Sequence, residues 1–567
     1  MRHFYIYLCL LGCLIYGMSS CKKSAVHEYE FTKTVIEDSV IVVTAHPVAT
    51  QIGIDVLRDG GNAIDASIAV QFALAVCYPI AGNIGGGGFM IYRTADGESI
   101  TLDFREVAPA AAYDDMYLDE NGNAIAERSQ TAELAAGVPG TVDGMVQAFD
   151  RYSQLKNWSR LLQPAIDIAQ EGFYLTDRQA SLLNSKRKDF DQYNRASTPF
   201  NTKIYKNGDL LLQPDLAQTL TAIKDHGRAG FYDGWVADKI VAQMQDGNGI
   251  ISKEDLANYA ARWRAPITTD YRGYQIISMP PPSSGGIALA QLLEMIEPYD
   301  ISSMGFHSVA HIHLMAEAER RVYADRATHL GDSDFYDVPV EMLMDADYLK
   351  GRMSDFDPTK ASVSDSITAG PAKESLETTH FSIVDLQGNA VSLTTTINGA
   401  YGAKTVVQGA GFLLNNEMDD FSAKPGVPNM FGLIGAEANK IEPGKRMLSS
   451  MTPTIITQNG KTILTVGTPG GSTIITSVLQ TIVNVIDHGM TASEAVAAPR
   501  FHHQWLPDKI RIEEVGFDPT VIDSLATMGH DINQKGKLGK VECIYYRPDG
   551  TIEGAADPRA DDTVMGF

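Results

Sequence analysis

The sequence predicts a layered α/β protein built as one large body, and three features of its texture carry that prediction. Apolar runs at 41–43 and 66–76 alternate with Gly/Asn turns such as Gly60-Gly61-Asn62; residues from about 130 to 260 have mainly helical spacing; and between Thr378 and about residue 480 short β-branched segments recur between Gly, Asn and Pro turns. With 567 residues, 44% hydrophobic and 20% charged, the chain can bury a sizeable core and is not low-complexity. A formal net charge of −24, with no long run of like charge, argues against nucleic acid as a partner.

Arg2 and His3 precede an apolar stretch from residue 4 to about 17, and Met18-Ser19-Ser20-Cys21 follows. This reads as a signal peptide over 1–20 with cleavage before Cys21, which would become the lipidated first residue of the mature protein. An ordinary secretory signal with an incidental cysteine is the plainer alternative. Three of the five cysteines (Cys9, Cys13, Cys21) lie in or at the end of this segment, which favours lipidation. Residues 21–37 read as a polar tether, with the fold starting near Asp38. No later stretch is apolar over the ~20 residues a membrane span needs, so the expectation is a protein anchored through lipid only. Cys77 and Cys543 could form one bridge in an oxidising compartment, but Cys77 lies in the apolar run 72–78 and reads as a buried free thiol. Zinc-type spacing is absent, so no metal is expected.

Further along, 53–58 has helical spacing, 164–171 and 214–223 read as amphipathic helices opening on proline, and 307–327 as a long helix. The run Asn83-Ile84-Gly85-Gly86-Gly87-Gly88-Phe89-Met90 lacks the Lys-Ser/Thr of a phosphate loop and reads as close backbone packing. Pro280-Pro281-Pro282-Ser283-Ser284-Gly285-Gly286 reads as a rigid turn into a helix. Strands are expected at 381–384, 391–396, 452–457 and 462–465.

The segments 377–385 and 390–398 flank Leu386-Gln387-Gly388-Asn389, a hairpin signal. A three-residue loop, 387–389, would pair Leu386 with Ala390, put Asn398 opposite Thr378 and leave Thr396 diagonal on the same face. A four-residue loop would put Ile397 there and turn Thr396 and Asn398 to the other face.

Motifs standing in one order then carry a resemblance. They are Asp103-Phe104-Arg105-Glu106-Val107-Ala108-Pro109; Thr378-Thr379-His380-Phe381-Ser382; Gly411-Phe412-Leu413-Leu414-Asn415-Asn416-Glu417-Met418-Asp419-Asp420-Phe421-Ser422; Leu448-Ser449-Ser450-Met451-Thr452-Pro453-Thr454; and Gly467-Thr468-Pro469-Gly470-Gly471-Ser472. From about residue 38 to its end the chain resembles the γ-glutamyltransferases, members of the N-terminal-nucleophile hydrolases.

The resemblance implies a four-layer αββα sandwich formed jointly by two chains, a large subunit 38–377 and a small subunit 378–567, after self-cleavage between Glu377 and Thr378. It makes Thr378 the nucleophile, whose freed α-amine, with a reference pKa of ~7.7–8, can serve as the base. Thr396 orients the nucleophile, and the Gly470 and Gly471 amides form the oxyanion hole. Arg105, Ser449 and Ser450 take the substrate α-carboxylate; Asn398, Glu417 and Asp420 take its α-ammonium. Taken singly, Arg105 reads better as a surface ion pair with Glu106, and Asp419-Asp420 as a solvated turn or an N-cap; together, in the family's order, they do not. No cofactor is implied.

Two departures stand out. Residues 423–432 resemble a lid whose gating tyrosine in bacterial relatives is Phe431 here, which keeps an aromatic cover and loses a hydroxyl. Met447 stands where relatives often carry proline, which bears on the rigidity of the Ser449-Ser450 backbone. The function implied is γ-glutamyl transfer from glutathione and related compounds to water, amino acids or dipeptides, in a bacterial periplasmic or cell-surface lipoprotein. The alternatives are an acylase acting on a cephalosporin side chain or poly-γ-glutamate, and, less well supported, a non-catalytic binding lipoprotein.

Overall fold

A computed structural model of the protein describes residues 29–364, 378–424 and 426–567. The signal peptide, residues 21–28 of the tether with Cys21, and Glu377 lie outside the described residues.

Two seven-stranded antiparallel sheets form the centre. One runs in the order Thr563–Gly566, Ile41–Thr44, Thr378–Val384, Ala390–Thr396, Gly87–Arg93, Ser99–Asp103, Arg262–Arg264. The other runs Thr34–Glu37, Ile552–Ala556, Glu542–Tyr546, Lys461–Gly467, Thr454–Gln458, Tyr274–Ser278, Ile267–Tyr271. Period-2 patterning assigns each strand residue to a face. Ile41, Val43, Ile91, Ile277, Val384, Ile455 and Ile544 meet between the sheets. Their chain neighbours Val42, Met90 and Ile383, with Leu393 of the adjoining strand, face outward into a core with the helices Pro47–Arg58 and Ala63–Cys77. Ile276, Ile456, Leu464 and Cys543 face outward on the other side, against Gly285–Ile296, Val309–His329 and Ile474–Ile486. Both sheets therefore carry an apolar outer face that a helical layer must cover, and the result is the expected αββα sandwich.

Local chemistry explains the elements that differ from the sequence reading. Thr34–Glu37, assigned to the tether, is an edge strand pairing antiparallel with Ile552–Ala556, so the fold begins before Asp38. The helix read as opening at Pro164 starts earlier, at Trp158, where the Asn157 side chain accepts from the Arg160 N–H; Pro164 is interior and gives up one helix hydrogen bond. Pro214 does open its helix. The glycines of 83–90 pack as expected: a Cβ on Gly86, Gly87 or Gly88 would lie 2.2, 2.5 or 2.4 Å from the carbonyl oxygens of Thr396, Phe104 and Thr394. Cys77 and Cys543 are free, buried, and in different cores. Among the described residues no helix is long and apolar enough to cross a membrane.

Candidate active site

The hairpin places the candidate nucleophile. Thr378 opens the strand Thr378–Val384, whose ladder pairs Val384 with Ala390 and Thr378 with Thr396. Neither expected register holds. The Asp385 N–H donates to the Asn389 carbonyl (3.1 Å) and the Gly388 N–H to the Asp385 carbonyl (3.0 Å), so the three-residue loop is Leu386-Gln387-Gly388, one residue earlier than read. Gly388, at φ +88°, supplies the left-handed residue of a bulged turn. Asp385 Oδ1 accepts from the Gln387 and Asn389 amides (2.9 Å each) and fixes the loop. The two-residue slip keeps the face and moves Thr396, not Asn398, directly opposite Thr378.

Residues 378, 380, 382 and 384 point between the sheets, so Thr378 sits at the mouth of the sandwich, 5% exposed. Thr378, Thr396, Asn398, Arg105, Glu417, Asp420, Ser449, Ser450, Gly471 and Phe431 line one pocket, with Arg326, Leu433, Met451 and Ile474. All the sequence-nominated residues within the described chain meet there except Gly470, which forms the adjoining turn.

Asn398 leaves the strand at φ +68°; its N–H donates to Thr396 Oγ1 (2.7 Å) and its side-chain amide to the Asn416 carbonyl (2.9 Å). Asn416 Oδ1 in turn accepts from the Gly399 N–H, and Asn415 binds both Gly85 and Gly137. The motif asparagines thus hold the loop that presents Asn398.

Arg105 is no surface ion pair. It is 1% exposed, and its guanidinium bonds Glu417 Oε1 and, at 2.6 Å, Asp420 Oδ2, with Glu106 3.8 Å away. Residues that sequence reasoning divided between two ends of a substrate are in direct contact. Burial works against the Arg105 charge, and the carboxylates outweigh it. Burial pushes Glu417 and Asp420 upward, and Glu106, with neither carboxyl oxygen hydrogen-bonded, up to about 8.

Ser449 and Ser450 are aligned by a bridge that the sequence did not reveal. The Ser449 N–H donates to the Pro282 carbonyl (3.0 Å), and the Ser284 N–H and Oγ donate to the Ser449 carbonyl (2.8 and 2.6 Å). The rigid turn 280–286 is thus the scaffold of the serine pair, and the backbone there does not depend on proline at 447. Met447 packs with Met418 and Phe421 in a buried cluster, its carbonyl accepting from Arg105 Nε (3.3 Å). Ser449 Oγ accepts from the Met451 N–H and Ser450 Oγ from Arg326, which commits their acceptor side and leaves each hydroxyl proton to donate.

Phe431 closes the pocket. A Cβ on Gly471 would lie 2.5 Å from its ring, and Gln504 Nε2 donates to the Gly432 carbonyl (3.1 Å). Asn429, which sequence reasoning missed, pins this segment: its Oδ1 accepts from the Phe431 and Leu433 amides and its Nδ2 donates to Asp420 Oδ1 (3.0 Å).

Elsewhere His313, Glu317 and His530 are close enough to hold a metal. Their atoms are engaged with one another and with the protein: His313 and His530 share a 2.8 Å hydrogen bond, and Glu317 accepts from Arg321 and from the Ser362 N–H. Two arginines beside Glu317 disfavour a cation.

Comparison with known proteins places this geometry. Residues 49–567 match the family model described as gamma-glutamyltranspeptidase. The chain is 47% identical, over 533 residues covering 93% of it and 92% of the relative, to the glutathione hydrolase proenzyme of Escherichia coli K12. It resembles the crystal structure of Helicobacter pylori gamma-glutamyltranspeptidase with TM-score 0.55 and 45% identity, covering 59% of this chain and 95% of that one. It resembles the cephalosporin acylase from Bacillus halodurans with TM-score 0.82 and 25% identity, covering 97% and 99%.

Proposed function

The chain belongs to the gamma-glutamyltranspeptidase family, and from that premise we propose a self-processing enzyme that cleaves the γ-glutamyl bond of glutathione and related compounds, passing the acyl group to water, an amino acid or a dipeptide. One observation carries the reading: a buried threonine at the start of a strand shares a pocket with a buried arginine, two carboxylates and a serine pair whose hydroxyl protons are left to donate.

In the precursor the Thr378 hydroxyl attacks the Glu377 carbonyl, the resulting ester is hydrolysed, and chains 21–377 and 378–567 remain associated. The new α-amine of Thr378 then takes the hydroxyl proton as Oγ attacks the substrate γ-carbonyl. The Gly470 and Gly471 amides stabilise the tetrahedral oxyanion. The proton passes to the departing amine, leaving a γ-glutamyl ester on Thr378. Water or an acceptor amine repeats the sequence in reverse. Thr396 holds Oγ in place. The α-carboxylate lies against Ser449, Ser450 and Arg105, and the α-ammonium against Glu417, Asp420 and Asn398.

The likeness to a cephalosporin acylase supports a second reading, an acylase acting on a cephalosporin side chain. The buried Arg105–Glu417–Asp420 cluster favours the glutamyl head, because a zwitterion brings a carboxylate and an ammonium to a site that carries both signs of charge. We place the enzyme outside the cytoplasm on a lipidated Cys21; a Cys21→Ala variant found in the membrane fraction as abundantly as wild type would refute the anchor.

The deciding experiment is intact mass and N-terminal sequencing of wild type beside Thr378→Ala, followed by assays on a γ-glutamyl anilide and a cephalosporin side chain. Wild type should separate into two chains with threonine at the new N-terminus and release the anilide, while the variant stays whole and inactive. A wild-type chain that remains single, or that processes and turns over only the cephalosporin substrate, would overturn the proposal.

A further inference from the structure

Arg326 stands in the last turn of the helix Val309–His329, in a charged run that shows no motif. Its guanidinium is buried, 4% exposed, and forms part of the pocket wall around Thr378. Nε donates to Ser284 Oγ and NH2 to Ser450 Oγ, both at 3.0 Å. Among the described residues no carboxylate lies within ion-pair distance of it; Asp420 is its acidic electrostatic neighbour. Arg105, by contrast, is engaged by Glu417, Asp420 and the Met447 and Leu448 carbonyls.

This contrast sets an electrostatic requirement. Two carboxyl groups already meet the Arg105 guanidinium, so the trio carries no net positive charge with which to attract a substrate carboxylate. A buried arginine whose neighbours are hydroxyls is costly to the empty fold and is compensated when an anion arrives. Four of the five Arg105 N–H donors go to Glu417, Asp420 and two carbonyls rather than to Ser450. The acceptor side of Ser450 is instead fixed by Arg326, so its proton points away from that arginine. Ser284 accepts from the same guanidinium and donates to the Ser449 carbonyl, coupling both serines to one cation.

We propose that Arg326 is the second cation of the carboxylate subsite, a positioning residue that sets Ser450 as a hydrogen-bond donor and supplies the positive charge that the Arg105–Glu417–Asp420 cluster does not, so that the enzyme selects acyl donors bearing an α-carboxylate. The inference rests on the γ-glutamyl reading above.

The test is donor discrimination by the purified, self-cleaved enzyme. kcat and KM are measured for L-γ-glutamyl-p-nitroanilide and for 4-aminobutyryl-p-nitroanilide, which keeps the amine and lacks the carboxylate. Arg326→Gln should lose at least ~10-fold in kcat/KM on the first donor, mainly through KM, and less than about 3-fold on the second. Arg326→Lys should fall between wild type and Arg326→Gln, since one ammonium restores charge but not the planar fork; it carries the same test if Arg326→Gln does not mature. Equal losses on both donors would mark a purely structural role and overturn the inference, as would undiminished discrimination. A wild-type enzyme that releases neither anilide overturns the activity itself, and this inference with it.

Discussion

Thr378 and Thr396 are direct cross-strand partners, both facing the second sheet, and the Thr396 hydroxyl oxygen also receives the N–H of Asn398 at 2.7 Å. The strand ladder thus sets the proposed nucleophile beside the hydroxyl that holds the Asn398 loop. Thr396→Ala leaves that buried N–H without its acceptor, at a cost of about 1–3 kcal/mol, and removes the hydroxyl proposed to orient Thr378. Self-cleavage and kcat should both fall by ~10-fold or more, with KM little changed, while Thr396→Ser should keep most of both. Chain processing followed over time together with steady-state kinetics checks this; equal activity of the Ala and Ser variants would refute the orienting role.

Gly471 occupies a left-handed conformation, φ +55°, with the Phe431 ring where a side chain would begin. Gly471→Ala should therefore displace the lid as well as the proposed oxyanion donor, lowering turnover by roughly 10²-fold. In a Phe431→Ala background the clash disappears while the backbone strain remains, so the same substitution should cost less there. A loss of the same size in both backgrounds would separate the lid from the glycine loop.

Asn429, not the aromatic ring, fastens the lid through its bonds to the Phe431 and Leu433 amides and to Asp420. Asn429→Ala should loosen it and raise the ratio of hydrolysis to transfer. Phe431→Tyr restores a hydroxyl and should lower that ratio by a smaller factor. Product analysis with a dipeptide acceptor decides; ratios unchanged in both variants would count against any gating by this segment.

The parts of the site that were legible in the sequence are those carried by local motifs. Arg105, Glu417, Asp420 and the serine pair each stand in a distinctive short string, and the fold brings these strings to one pocket. Arg326, Ser284 and Asn429 were not legible, because each acts across the tertiary structure from a segment that reads as helix, turn or loop. The hairpin shows a finer limit. Its face followed from period-2 patterning, but its register turned on whether Gly388 or Asn389 took the bulge position, which the Asp385 side chain settles. The Thr34–Glu37 strand was read as tether because a short edge strand with exposed alternate residues has the composition of a linker.

His380 bears on pH. Its ring lies between the sheets, fully buried, bonded to Thr394 Oγ1 (2.9 Å) and Ser382 Oγ (3.1 Å), and burial lowers its pKa to about 3. An unfolded histidine titrates near 6.5, so below that pH the unfolded state binds a proton that the folded state refuses. The stabilisation from keeping His380 neutral is complete above pH 6.5 and is lost as pH falls toward 3, at ~1.4 kcal/mol per pH unit between about pH 6 and pH 4. His380→Gln removes this dependence. The difference in unfolding free energy between wild type and variant, taken from urea midpoints across that range, should shrink by about that slope. Activity should respond differently: His380 does not titrate where the Thr378 amine does, so a kinetic limb near pH 8 should survive the substitution. A limb that moves with His380→Gln would assign the catalytic proton to the imidazole and remove the α-amine from the mechanism.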